Sequence, residues 1–155
     1  MKSFRFSLQP LQVLRERQEQ AALNAYARAV QAQTAAAHAL QAARLALEAG
    51  WTAQQASVRQ AAPAAQLAQA HQHCQVLERR TEACAQTLRA AQGAASQAFT
   101  RWTAARQASA LLEQCRENQL REYRVQVLRH EQKRLDDLGR RRPDPTPSSP
   151  LPGHS

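Results

Sequence analysis

From Leu67 onward, apolar or small residues return in alternating steps of three and four: Leu67, Ala70, Cys74, Leu77, Thr81, Cys84, Leu88, Ala91, Ala95, Ala98, Trp102, Ala105, Ser109 and Leu112. This spacing is the a/d seam of a coiled coil, in which one face of a helix is buried along a partner helix. An earlier seam runs through Leu23, Tyr26, Val30, Ala37, Leu40, Leu47, Trp51 and Val58, with Gln33, Arg44 and Gln54 filling the remaining steps. Toward the N-terminus it reaches Leu14 and Leu11 through Ala22 and Gln18. Those four-residue steps imply a stutter that relaxes the supercoil.

One proline separates the two seams, Pro63 in "VRQAAPAAQLA". A residue before proline is biased away from the helical region, so one helix should end near Gln60–Ala62 and the next begin at Pro63. The pattern predicts helices over about 8–61 and 63–139, capped by Ser7 at the start and Gly139 at the end. Folding at Pro63 places residue i roughly opposite residue 124 − i in an antiparallel hairpin. Leu23 and Tyr26 then meet Phe99 and Trp102, while Trp51 lies beside Cys74 and Leu77. The expected core comprises Leu23, Tyr26, Val30, Leu40, Leu47, Trp51, Leu67, Cys74, Leu77, Leu88, Trp102 and Leu112. The expectation is an all-α, monomeric, antiparallel coiled-coil hairpin over residues 1–142. The alternative is a kink at Pro63 within one long rod that pairs with a second copy.

Composition supports long helices over a globular core. Among 155 residues there are 4 Gly, 3 Phe, 2 Trp and no Ile, and alanine supplies much of the 43% hydrophobic fraction. Alanine, Gln, Arg, Glu and Leu are all good helix formers, and alanine buries little area. Five of the 7 prolines fall in "PDPTPSSPLPGHS", so residues 143–155 read as a disordered tail. No run approaches the roughly 18–20 apolar residues of a membrane span. Nor does the N-terminus carry a secretory signal, so the opening is expected to belong to the mature protein. Cys74, Cys84 and Cys115 lack CxxC spacing and are expected to be reduced thiols.

The net charge of +9 calls for an anionic partner or surface. Yet "LRERQEQ", "LERRTE" and "LEQCRENQLREYR" mix arginines with acids, and no basic helix leads into a zipper. Specific nucleic-acid binding is therefore not expected, although a basic coiled coil associated with nucleic acid is an alternative. Catalytic signals are equally sparse. Single glycines build no phosphate loop. His71 and Cys74 share a helix face but are more simply a solvated histidine and a small seam residue. Asp136 and Asp137 are adjacent and point apart on a helix. The reading is of a protein that is not an enzyme and has no cofactor or metal.

The hairpin leaves part of the chain unpartnered. If residue 4 lies near residue 120, then "REYRVQVLRHEQKRLDDL", residues 121–138, has no helical mate over about 27 Å. It carries an apolar stripe of Val127 or Leu128, Leu135 and Leu138, and such a face usually has an external partner. The aromatic-basic-aromatic opening "FRFSLQPLQVLRERQEQAA" converges on the same end. This opening, with its Leu-Arg-Glu and Glu-x-x-Ala, resembles the N-terminal signature of the FliJ family. The segment "YRVQVLRHEQKRLDDL" resembles the other end of that family, where a Glu-Gln-Lys run precedes Leu-Asp-Asp.

The resemblance implies a component of the flagellar type III protein export apparatus, cytoplasmic and peripherally associated with the inner membrane. It implies a stalk-like hairpin whose two ends enter the hexameric export ATPase and promote its assembly and activity. The export gate membrane protein and export chaperones are the other implied partners, and the region near Pro63 is a positional guess for the gate. Phe4, Phe6, Leu8, Leu11, Leu14, Arg15, Glu131, Lys133, Leu135, Asp136 and Leu138 would meet the ATPase. Phe4 and Phe6 could equally be a local hydrophobic lock on the C-terminal helix. The YscO group of virulence type III secretion shares the architecture and stands as the alternative.

Overall fold

The computed structural model describes residues 3–140. The Pro-rich segment 143–155 lies outside the described residues. Two helices make up the fold, α1 (Gln9–Arg59) and α2 (Ala64–Arg140), and they pack against each other. There is no strand among the described residues.

The helix ends depart from expectation in informative ways. Leu8 rather than Ser7 occupies the N-cap of α1, with no side-chain cap bond. The chain enters α1 through a turn closed by the Gln9 N–H donating to the Phe6 carbonyl at 3.2 Å. Pro10 falls in the first turn, where its missing N–H has no helical acceptor to lose. At the far end, the Ala61 N–H donates to Val58 O and the Ala62 N–H to Ser57 O, at 3.2 and 3.1 Å. These are the two bonds of a Schellman motif, and Ala61 takes its left-handed position with φ 50°. The Pro63 carbonyl then accepts from Gln66 and Leu67 to start α2. Gly139, expected just beyond the second helix, lies inside it, because α2 continues to Arg140 with no glycine at positive φ.

Four contacts set the register. Phe4 lies against Tyr123 at 5.6 Å between ring centroids, and Tyr26 against Phe99 at 5.4 Å and Trp102 at 5.8 Å. The Thr81 hydroxyl bonds Leu77 O at 2.9 Å and lies 3.4 Å from Ala43 O across the interface. Gly50 sits against Cys74 and Leu77. Residue numbers rise along one helix as they fall along the other, so the helices are antiparallel.

All fourteen positions of the α2 seam, Leu67 through Leu112, are buried or half-buried. On α1 every second position also holds: Tyr26, Gln33, Leu40, Leu47 and Gln54. The intervening positions are displaced by one residue. Ala22, Ala29, Ala36, Ala43, Gly50 and Ser57 face α2, whereas Leu23, Val30, Val58 and Trp51, 45% exposed, flank the seam. The expected core residues Leu23, Val30 and Trp51 are corrected accordingly. Either offset satisfies the alternation of three and four; the small residues lie inward because they let the helices approach closely. A Cβ on Gly50 would come 2.8 Å from Leu77 Cδ1, closer than such atoms normally pack. Polar residues continue the repeat without a stutter, through Glu19, Arg15 and buried Gln12, which leaves Leu11 and Leu14 exposed. The resulting core is narrow, and no large side chain is fully buried among the described residues.

Candidate functional site: the arm and the bare end of α2

The N-terminal arm, residues 3–8, is non-helical and lies along α2, with Phe4 against Tyr123 in the same antiparallel register. Phe6 is 7% exposed and Phe4 is half-buried against Tyr123. Phe4 thus contacts the C-terminal helix directly, and Phe6 is buried further along the arm. Gln12 is buried just inside the arm and donates from Nε2 to Glu16 Oε1 at 3.2 Å. Leu8, Leu11 and Leu14 remain exposed, and Arg15 is half-buried in the seam.

Beyond this lock α2 proceeds alone. Tyr123 and Val127 are half-buried, and every residue from 128 to 140 is exposed. The bare helix is thus about 20 Å long, shorter than the 27 Å expected because the arm covers its base. Leu128, Glu131, Leu135 and Leu138 follow i, i+3, i+7, i+10 and share one face. Glu131, Arg134, Leu135 and Leu138 line a shallow groove there. Leu128, Leu135 and Leu138 are each more than 60% exposed. Lys133 and Asp136 fall elsewhere around the helix, since each residue advances by about 100°. The N-terminal candidates do not join the C-terminal ones in one patch. Twelve residues separate Tyr123 from Leu135, about 18 Å of helix.

Among the described residues no ion pair engages the charges of the bare segment, and the one such pair is Arg89–Glu82, at 3.0 Å and well exposed. An unpaired, mixed-charge helix with a leucine stripe can bind a protein surface that supplies its own apolar and charged groups. Tyr123, which anchors the arm, was missed from sequence, although its position in "REYRV" continues the seam. Elsewhere the His71 ring lies 3.2 Å from the Gln75 amide while Cys74 is buried. No group of three or more potential metal ligands occurs among the described residues. No helix there is long and apolar enough to cross a membrane.

A family model described as "Flagellar FliJ protein" matches residues 4–144, nearly the whole chain. No curated protein and no solved structure matches it.

Proposed function

The chain belongs to the FliJ family, non-catalytic components of the flagellar export apparatus, and from that premise we propose that it is the stalk-like partner of the hexameric export ATPase. The bare end of α2 carries this reading. It presents Leu128, Leu135 and Leu138 on one face, too far from α1 to be covered by it. Its form, a single charged helix projecting from a two-helix rod, suits insertion into a central opening. Phe4 and Phe6 act indirectly in this reading, by fixing the arm so that the tip projects in one direction. Leu8, Leu11 and Leu14 would contact the rim of the ring. The rod end near Pro63 is left to face the export gate, and the protein acts on the cytoplasmic side as a peripheral component.

A chain ended after Val127 tests this reading, because it keeps the Phe4–Tyr123 contact and the whole interhelical seam. Its melting should match that of the full chain and its helical circular dichroism should fall only by the residues removed, while it should no longer elute with the ATPase hexamer in size exclusion. Undiminished co-elution would remove the tip from the interface.

A further inference from the structure

A second surface lies midway along the rod. Between Glu19 and Glu48 on α1, and between Glu82 and Glu113 on α2, the sequence contains no carboxylate. The antiparallel register sets these stretches side by side, and they carry Arg28, Arg44, Arg89, Arg101 and Arg106, all exposed. Glu82 pairs with Arg89 from outside the zone, and the other four have no acidic partner within 4 Å among the described residues. The turn region between Glu48 and Glu78 also lacks carboxylates but carries only Arg59, whereas acids and bases are mixed along α2 beyond Glu113.

An apolar groove occupies the same section. It is lined by Tyr26, Val30, Gln33, Gln92, Ser96 and Phe99. Val30 is 38% and Phe99 48% exposed, and Leu23 continues the strip. The displaced seam creates this groove: with Ala22 and Ala29 turned inward, Leu23 and Val30 are left at its edge. Tyr26, Phe99 and Trp102 contact one another, and Arg106 lies 5.7 Å over the Trp102 ring, so the floor is a fixed aromatic platform. From Leu23 to Gln33 the strip is about 15 Å long, close to three helical turns.

We propose that this groove is a docking site for an acidic amphipathic helix of a partner protein, separate from the tip of α2. The apolar strip takes the hydrophobic face of that helix, as in helix-in-groove recognition. By helical spacing Arg44, Arg89 and Arg106 lie on the groove's side of the rod and Arg28 and Arg101 on the other, and the net positive charge of this carboxylate-free section favours acidic flanks on the partner. Nucleic acid is the poorer fit, because the arginines are spaced singly along the rod and on both its sides and form no phosphate track.

The test uses the full chain and three probes: a designed 18-residue helix with Leu on one face and Glu on the other, its Lys counterpart, and a DNA duplex. The acidic peptide should bind and its Lys counterpart should not. Gln92→Glu should weaken binding about threefold and Gln92→Arg should strengthen it by a similar factor. Val30→Ser should cost about tenfold. Leu135→Ser should leave peptide affinity unchanged, and the Gln92 variants should leave the ATPase interaction unchanged, so the two surfaces fail or stand separately. Circular dichroism checks that each exposed substitution keeps the fold. Equal binding of the two peptides, indifference to Val30 and Gln92, preference for the duplex, or closure of the groove by a second copy in sedimentation would each overturn the proposal.

Discussion

At the scale of single residues, two positions carry more than their size suggests. Gly50 holds the place where α1 comes closest to Leu77. Gly50→Val should destabilise the hairpin by about 1–3 kcal/mol through overpacking. Trp51→Ala, one residue away, should cost less, about 1 kcal/mol, because nearly half of that side chain is exposed and it flanks the seam. Urea unfolding of the two variants distinguishes the seam found here from the one built on the larger residues. Ala61 is the second position. Its φ of 50° is strained for an L-residue, and glycine would adopt it freely. Even after the extra entropy that glycine loses on folding, Ala61→Gly should stabilise by about 0.5–1 kcal/mol. A lowered melting temperature would show that the turn tolerates alanine for another reason.

At the scale of elements, the two helices were unequally legible. On α2 most large seam residues differ in kind from their neighbours: Leu67, Leu88 and Trp102 stand between polar or small residues, and only Leu77 and Leu112 have an apolar residue beside them, so one phase prevails. On α1 nearly every position near the seam is apolar, and Ala36 and Ala37 look alike. Choosing the larger residue selects the wrong side of the repeat, because close helix approach rewards the smaller one. Polar Gln12, Arg15 and Glu19 in seam positions hid the continuation toward the N-terminus. The site was legible in part. Exposure of the stripe at Leu128, Leu135 and Leu138 followed from counting residues across the hairpin. Burial of Phe6 depends on the path of the non-helical arm, which no periodicity encodes. Phe6→Ala should therefore free the arm locally. Amide exchange should rise over residues 3–12 and near Tyr123, with the remaining seam unchanged; protection lost along the whole hairpin would mean that the arm nucleates the fold.

At the scale of the molecule, the protein is a thin rod with distinct ends. α2 alone spans about 115 Å, and a narrow alanine-rich core fixes the register while contributing modest burial. Such a rod is suited to positioning surfaces along its length, here a leucine-bearing tip and an apolar groove in a carboxylate-free section about 60 Å apart. The proposed engagement of the tip with the export ATPase is tested by ATP hydrolysis of the cognate hexamer with stoichiometric full-length protein, the Leu128→Glu/Leu135→Glu double variant, or Gln92→Glu. Turnover should rise with the full-length protein and with Gln92→Glu, and not with the double variant. Stimulation that survives both tip substitutions, or no stimulation by the unaltered protein, would contradict that engagement.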